Sequence, residues 1–256
     1  MEIKTSKNIG FKSQLSRDEL SFRHHVRVRR RIGHHKRLFL KQTISAQIHA
    51  WGALLSFLCI VCAWYIVPSS EWRTALAITV FGVTAVTLFS ASAIMHFLTD
   101  GFRISKRFEM VLEKFDKVSV HLLIAGTYTA IAQISLKDPM YSRIMWSVWI
   151  FAFLGIVYTL TFDLLPKRLR SRVLYTSQFL IMGWLIVFCV QEMLIAFTVT
   201  QAVLSFLGGI LYSIGAVIYA FQYPNPTRYF GYHEIWHSLV LFGCACFFSV
   251  VFLGIL

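Results

Sequence analysis

Seven long stretches of this sequence contain no aspartate, glutamate, lysine or arginine, and they constrain the fold more than any other feature. The stretches cover residues 42–70, 74–99, 118–136, 144–162, 173–191, 193–227 and 235–256. Each has about the 17–25 apolar residues that an α-helix needs to cross a bilayer. Because 57% of the 256 residues are hydrophobic, the chain has more apolar side chains than one soluble core can bury. The sequence therefore predicts an all-α integral membrane protein, a bundle of seven transmembrane helices.

The prolines support the same boundaries. All five lie between or at the ends of the seven stretches, where a missing backbone donor does least harm to a helix. We predict spans at residues 43–67, 74–98, 117–136, 144–163, 173–191, 196–221 and 233–255. Residues 1–42 then form a basic N-terminal arm, and residues 43–256 form the membrane domain.

The distribution of basic residues predicts the orientation of the bundle. Of the 25 lysines and arginines, all except Arg73, Lys137 and Arg143 lie in the arm or in connections on the arm's side. Because basic residues accumulate in cytoplasmic segments, the N-terminus should be cytoplasmic. After seven crossings, the C-terminus should lie outside. The location that we expect is a plasma or inner membrane.

The basic arm is best interpreted as a membrane-surface segment. A basic run beside a first span, such as Arg29-Arg30-Arg31, is typical of an orientation signal that contacts anionic lipid headgroups. Nucleic-acid binding is the disfavoured alternative, and no nucleic-acid partner is expected. The pairs His24-His25 and His34-His35 could bind a metal, but adjacent histidines on a charged arm are usually solvated.

The cysteines do not indicate a redox or metal function. All five lie within predicted spans, where cysteine behaves as a small hydrophobic residue. Cys59 and Cys62 form a C-x-x-C pattern, but a lipid-spanning helix lacks the turn that redox and metal motifs of this type use. The sequence also has no phosphate-binding loop, G-x-S-x-G motif or dinucleotide fingerprint, so nucleotide-driven chemistry has no support.

Two histidines open the last span. They lie four residues apart in the stretch Tyr232-His-Glu-Ile-Trp-His237. In a helix, that spacing puts His233 and His237 on one face with Cβ atoms about 5–6 Å apart, so one metal ion can reach both imidazoles. Such pairs are a recurrent zinc arrangement, since zinc binds neutral imidazole nitrogen at about 2.0–2.1 Å. The pair alone does not establish a metal site.

Further polar groups reach the same side of the membrane. Span two ends with Ser92-Ala-Ile-Met-His96, in which a serine and a histidine are again four residues apart. Asp116 lies at the predicted start of span three. With the orientation derived from the basic residues, His96, Asp116 and His233 all lie at cytoplasmic ends of spans. Ionisable residues in spans usually face the bundle interior or a polar cavity, so we predict that these groups converge.

The predicted group has the composition of a catalytic zinc site. Three histidines, His96, His233 and His237, leave the fourth tetrahedral position open for water, whose pKa zinc lowers to about 7. Asp116 would accept a hydrogen bond from that water or act as general base. Ser92, one turn before His96, would bond the water or orient a ligand.

A structural role is the alternative to metal binding for the candidate ligands and Asp116. For His49 and His121 it is the preferred interpretation. A histidine at a rim often faces lipid headgroups, and Asp116 could cap its helix or pair with Lys117. His49 and His121 are interpreted as interior hydrogen-bonding residues; His121 points about 140° away from Asp116 around the helix. Glu234 faces elsewhere on its helix than its neighbouring histidine and is less suited than Asp116 to be the base.

Three segments resemble a known family. They are Ser92-x-x-x-His96, Phe115-Asp-Lys-Val-Ser-Val-His-Leu-Leu-Ile-Ala-Gly-Thr-Tyr-Thr129 and Tyr223-Pro-Asn-Pro-Thr-Arg-Tyr-Phe-Gly-Tyr-His-Glu-Ile-Trp-His237. Over residues 40–256 the chain is similar to the haemolysin III branch of the progestin and adipoQ receptor family, in a superfamily of seven-span proteins regarded as metal-dependent hydrolases. The resemblance implies zinc ligands at His96, His233 and His237. It also implies that Asp116 is the acidic residue beside the metal and Ser92 the serine of the S-x-x-x-H motif.

Span one departs from the pattern of that family. Where the branch usually has an asparagine and Thr-His-x-x-Gly, this chain has Ser45 and Ile48-His-Ala-Trp-Gly52. A proline that is common after Gly-Thr-Tyr-Thr is Ala130 here. These changes leave the expected ligands intact, although those in span one could alter the wall of the cavity.

An open zinc position in a membrane setting favours one function. We predict metal-assisted hydrolysis of a membrane lipid, at an amide or ester bond as in ceramidase-like relatives, with a role in membrane lipid homeostasis. Two alternatives belong to other classes: a zinc-stabilised receptor or regulator of membrane composition without turnover, and a pore-forming haemolysin. The spans show no second polar face that would line a wide channel, which disfavours the pore. The sequence does not predict the substrate or the oligomeric state.

Overall fold

The computed structural model describes residues 44–102, 104–227 and 230–255, and within these ranges the chain is helical. Eight α-helices lie in them: α1 (Ile44–Ile66), α2 (Trp72–Gly101), α3 (Lys106–Ser135), α4 (Met140–Thr161), α5 (Arg172–Gly183), α6 (Val190–Ala196), α7 (Val199–Phe221) and α8 (Tyr232–Leu253). Short 3₁₀ turns lie at Ser69–Glu71, Phe162–Leu164, Lys167–Leu169 and Trp184–Cys189. The predicted basic arm, residues 1–42, lies outside the described residues.

Among the described residues, seven helical segments are long and apolar enough to cross a membrane, which confirms the predicted all-α bundle of seven spans. Six of the α-helices each supply one span, and α5 and α6 together supply the fifth. Large hydrophobic side chains on the outer faces are exposed, among them Trp51, Phe153 and Phe206. The chain is therefore an integral multi-pass membrane protein whose outer surface contacts lipid. Which end of the bundle faces the cytoplasm stays a prediction.

The third span begins earlier than the sequence predicted. The charge-free stretch placed its start at residue 117, but α3 begins at Lys106. Ser105 is the N-cap, and its hydroxyl oxygen accepts a hydrogen bond of 3.3 Å from the backbone N–H of Phe108. The difference arises because a run without charged residues marks only the part of a helix that lies in the hydrocarbon core. The helix itself can continue out of the core with a polar sequence. Asp116 therefore lies in the interior of α3, and the alternative that it caps the helix is wrong.

The fifth span is not one continuous α-helix. Between α5 and α6 the backbone tightens into a 3₁₀ segment over Trp184–Cys189. Tyr128 of α3 bridges this break, because its hydroxyl donates to the carbonyl of Gly183 at 2.7 Å and accepts from the N–H of Ile186 at 2.9 Å. Irregular backbone at membrane depth needs partners from neighbouring protein, since lipid offers none. Tyr128 supplies those partners.

The central helix of the bundle is α3. It packs along α2 and α4 and also contacts α5, α6 and α8. Its buried face includes the small residues Ala125, Gly126 and Ala130, which let neighbouring helices approach closely. The rings of Phe81 and Phe248 stack with centroids 4.1 Å apart and join α2 to α8. This ring contact links the second and last spans.

The first helix, α1, has one buried polar face although most of its surface is exposed. Ser45, His49 and Ser56 are almost fully buried, and Gly52 lies on the same face. A Cβ atom added at Gly52 would lie 2.9 Å from the ring of Phe89. The missing side chain thus allows α1 to pack directly on α2, with its polar face toward the bundle interior.

Candidate metal centre

The three histidines predicted as ligands come together from α2 and α8. His96 lies near the end of α2, whereas His233 and His237 lie in the first two turns of α8. The Nε2 atoms of His96 and His237 are 3.3 Å apart. The ring centroid of His233 is 4.2 Å from that of His237 and 5.0 Å from that of His96. The three rings therefore lie in one cluster, but among the described residues the group whose ring nitrogens all lie within 4.8 Å of one another includes His96 and His237 and not His233.

Burial differs within this histidine cluster. His96 and His237 are 5% and 2% exposed, whereas the side chain of His233 is 23% exposed. His233 therefore lies at the rim of the cluster, and the other two rings lie in the interior of the bundle.

A fourth imidazole, that of His49 in α1, joins the cluster. Its ring centroid is 3.9 Å from that of His237 and 6.1 Å from that of His96. One ring nitrogen of each of these three residues lies within 4.8 Å of the other two, and this buried group could hold a metal ion. The interpretation of His49 as a hydrogen-bonding residue is wrong within the described part of the chain, where neither ring nitrogen has a partner.

Only a weak sequence signal pointed to the role of His49. It is the single histidine in the charge-free stretch 42–70, and histidines within spans usually face the bundle interior. No spacing within α1 connects His49 to another candidate ligand. Its place in the cluster depends on how α1 packs against α2 and α8, which is a tertiary property.

The donor set fits a metal such as zinc. Zinc binds neutral imidazole nitrogen at about 2.0–2.1 Å, which puts two ligand atoms of a tetrahedral ion about 3.3 Å apart. The 3.3 Å between the Nε2 atoms of His96 and His237 equals that separation. Buried polar atoms normally have partners, and a metal ion would supply one to His49. Imidazole ligands suit zinc, copper, iron or nickel, whereas magnesium and calcium prefer oxygen.

Ser92 and Asp116 form a second polar group next to the histidines. Ser92 lies one turn before His96 on α2, and it is close enough to Asp116 of α3 to interact with the carboxyl group. Both residues are buried, and neither the Ser92 hydroxyl nor Oδ1 of Asp116 has a hydrogen-bond partner among the described residues. The ion pair of Lys117 is with Glu113, at 3.6 Å, and not with Asp116. Two such oxygens beside the cluster are suited to bind water or a polar substrate group.

Glu234 links α1 to the start of α8. Its carboxylate is buried and accepts hydrogen bonds from the Ser45 hydroxyl at 3.0 Å and from the backbone N–H of Gly231 at 2.8 Å. Oε1 of Glu234 is also 3.9 Å from Nδ1 of His233. Ser45 of span one is therefore bonded to the helix that carries two of the histidines.

The fifth described histidine, His121, lies apart from the cluster. Its ring packs against Tyr175 and Phe179 of α5. Its Nε2 is 3.4 Å from Oε1 of Gln178, and its Nδ1 is 3.3 Å from the carbonyl oxygen of Lys117. These contacts confirm the interpretation of His121 as an interior hydrogen-bonding residue.

A cavity of about 350 Å³ lies deeper in the bundle, and its lining includes none of the clustered histidines and neither Ser92 nor Asp116. Its lining comes from α3, α5, α6, α7 and α8 and is mostly apolar, with Leu123, Phe179 and Ile210 among the residues. Trp236 also belongs to the lining, and its ring centroid is 4.5 Å from that of His237. The volume falls within the range of about 300–1,000 Å³ that is typical of ligand pockets. An apolar lining of this kind suits a hydrocarbon chain.

Fold and site together define the class: an integral membrane protein of seven spans with a buried histidine cluster at one end of the bundle. The family model described as Haemolysin-III related matches residues 38–248, and the chain belongs to this family. It is 36% identical over 220 residues to the hemolysin-3 homolog of Bacillus subtilis (strain 168), covering 83% of this chain and 94% of that relative. It is 32% identical over 219 residues to hemolysin-3 of Bacillus cereus, covering 84% and 92%. The resemblance to the haemolysin III branch is thereby confirmed.

Proposed function

We propose that this protein is a zinc-dependent hydrolase that cleaves an amide or ester bond of a membrane lipid and contributes to membrane lipid homeostasis. The observation that carries the proposal is a cluster of buried imidazoles, including His96 and His237. One helical turn before His96 lies Ser92, which is close to the buried carboxyl group of Asp116. The proposed ligands are His96, His233 and His237. Neutral imidazoles with a neighbouring carboxylate are the components of a metal-assisted hydrolytic site.

The residues of the site then have distinct tasks. A bound zinc ion supplies Lewis-acid chemistry, which polarises a substrate carbonyl and activates water near neutral pH. Asp116 accepts the proton of the attacking water at Oδ1, the oxygen that has no hydrogen-bond partner among the described residues. The hydroxyl of Ser92 orients either the Asp116 carboxylate or that water.

The cavity supports a lipid as the substrate class. Its apolar lining would bury a hydrocarbon chain, which is favourable by about 25 cal/mol per Å² of apolar surface removed from water. Trp236 lines the cavity on one side and contacts His237 on the other. Trp236 is thus the side chain that separates the cavity from His237, and a hydrocarbon chain in the cavity would reach the imidazoles only past this ring.

The proposal is tested with protein purified in mild detergent. Zinc content and fatty-acid release from ceramides and phospholipids are measured for the wild type and for Asp116→Asn. We expect the variant to keep its zinc and to lose about 10²–10⁴-fold in turnover, the usual contribution of a general base. Glu113→Gln is the matched control, because it removes an exposed carboxylate from the same helix. A wild type that binds zinc and releases no fatty acid from any of these lipids would contradict the hydrolase.

A non-catalytic role is the second candidate, and the position of the cluster favours it. The histidines come from the first, second and last helices, so a metal ion would tie these helices together. The protein would then be a zinc-stabilised receptor or regulator of membrane composition. In that case zinc removal would lower the melting temperature, and lipid extracts would have the same composition before and after incubation with the protein.

The name of the relatives, hemolysin-3, points to a third function, a membrane pore. The cavity disfavours this function, because its lining is mostly apolar and would not conduct ions or polar solutes. Leakage of a dye from liposomes measures the pore directly. Leakage that persists in His96→Asn would support a pore that does not depend on the metal centre.

A further inference from the structure

We infer that His49 is a fourth ligand of the metal, so that four imidazoles from α1, α2 and α8 build the centre. The inference rests on the proposed function only in assuming that the histidine cluster holds a metal ion. It extends the ligand set implied by the family resemblance into the first span.

The first argument is the environment of His49. The residue is 1% exposed, and both ring nitrogens lack a hydrogen-bond partner among the described residues. A neutral imidazole has one donor and one acceptor nitrogen, and both are normally satisfied when the ring is buried. The neighbouring rings are those of Phe89, His96 and His237. A cation shared with the other imidazoles would satisfy the acceptor nitrogen of His49.

The second argument is distance. Ring nitrogens of His49, His96 and His237 lie within 4.8 Å of one another. Ligands of a tetrahedral zinc ion are about 3.3 Å apart, so the widest pair has to close by roughly 1.5 Å. His96 and His237 already have the required separation, so the closing movement has to come from the side chain of His49.

The third argument is that α1 is fixed on both sides of His49. One turn before it, Ser45 donates a hydrogen bond of 3.0 Å to Glu234 of α8. Almost one turn after it, Gly52 lies against the ring of Phe89 of α2, where a Cβ atom would come within 2.9 Å. The helices that carry the other ligands therefore hold α1 at the depth and rotation that direct His49 into the cluster.

The position of His233 is compatible with four ligands. Its side chain lies at the rim, whereas His49 lies on the buried side of the same cluster. His96 and His237 form with His49 the group whose ring nitrogens lie within 4.8 Å of one another, and the ring centroid of His233 is 4.2 Å from that of His237. Zinc in catalytic sites accepts a fifth ligand, so four imidazoles still admit a substrate oxygen from the side of His233.

The experiment counts imidazoles and measures affinity, without any activity readout. Zinc-loaded wild type, His49→Asn and His233→Asn are compared by X-ray absorption spectroscopy, and their zinc affinities are measured by chelator competition. We expect four imidazoles in the wild type and three in each variant. Each variant should bind zinc at least about 10–100-fold more weakly, since loss of an outer partner alone costs that much. His121→Asn is the control, because it removes a buried imidazole that is hydrogen-bonded elsewhere, and it should match the wild type.

Several results would overturn the inference. They are three imidazoles in the wild type, a His49→Asn spectrum and affinity equal to those of the wild type, or an equal loss of affinity in His121→Asn. If His49→Asn fails to fold, the wild-type count decides. Four imidazoles on zinc without lipid cleavage would support His49 as a ligand and contradict the proposed hydrolase activity. Three imidazoles with lipid cleavage would do the reverse, and a wild type that binds no metal would remove both.

Discussion

The Nε2 atoms of His96 and His237 lie 3.3 Å apart, although 141 residues separate the two histidines in the chain. Neither helix creates this pair alone. It forms because α2 and α8 are held together, in part by the stacked rings of Phe81 and Phe248. The separation is that of two ligands on one tetrahedral zinc ion, about 3.3 Å. The pair is therefore the part of the proposed centre that needs least rearrangement to bind a metal.

Metal removal should lower the thermal stability of the protein. A ligand that binds only the folded state stabilises it by about 2.7 kcal/mol at a concentration of 100 times its Kd. Dialysis against a chelator should therefore lower Tm, and added zinc should restore it. Magnesium is the control, because it prefers oxygen ligands and should not restore Tm. An unchanged Tm after complete zinc removal would argue against an ion that joins α2 to α8.

Substitution of Ser92 should reduce turnover more than it reduces zinc binding. The Ser92 hydroxyl is buried close to Asp116 and has no hydrogen-bond partner among the described residues. Ser92→Ala should lower fatty-acid release by about 10-fold, the lower end of the effect of an orienting partner. Ser90→Ala, two residues away on a different face of α2, should leave turnover unchanged. Equal losses in both variants would show that the effect comes from α2 as a whole.

A methyl group at Gly52 should lower the stability of the protein and weaken zinc binding, although Gly52 is not a ligand. In Gly52→Ala, the added carbon would collide with the ring of Phe89 and push α1 away from α2. Overpacking of this kind costs about 1–3 kcal/mol and should lower Tm. On the further inference above, it should also weaken zinc binding, because His49 moves with α1.

The control for this change is Gly209→Ala on α7. A Cβ atom at Gly209 meets nothing within 4 Å, and alanine favours a helix over glycine by up to about 1 kcal/mol. This variant should be as stable as the wild type or slightly more stable. A Gly52→Ala protein with unchanged Tm would show that α1 does not pack as tightly as described.

The stability of the 3₁₀ break in the fifth span should depend on the hydroxyl group of Tyr128. Tyr128→Phe removes the partner of both the Gly183 carbonyl and the Ile186 N–H, two backbone groups at membrane depth. Each buried group left unsatisfied costs about 1–3 kcal/mol, so unfolding in detergent should occur at a clearly lower temperature. Tyr158→Phe is the control, because its hydroxyl bonds the Leu169 carbonyl at an exposed position where water can replace it. The account of the break is wrong if both variants melt alike.

The sequence predicted the spans well because lipid imposes a simple rule on them. A helix in the bilayer needs a long run without charge, and all seven runs became spans. Features that depend on neighbouring helices were harder to predict. The helix α3 begins earlier than predicted, at Lys106, because its first turns are polar and lie outside the charge-free stretch. The 3₁₀ break at Trp184–Cys189 is stabilised by Tyr128, which lies in another helix.

The same division applies to the candidate site. Spacing of four residues within a helix correctly paired His233 with His237, because both lie on one helix face. The meeting of α2 with α8 was inferred from a common membrane side, and the structure brings His96 to His237. His49 could not be placed in this way, because it is the only histidine in its helix and only the packing of α1 directs it toward the cluster.

The zinc content of the purified protein tests the central claim most directly. Wild type and the double variant His96→Asn/His237→Asn are expressed in parallel, purified in the same detergent and measured by elemental analysis. The account predicts about one zinc ion per wild-type chain, as expected for a single site of this kind, and background zinc in the double variant, with His121→Asn unchanged. A wild type that lacks zinc, or a double variant that keeps the wild-type amount, would contradict it.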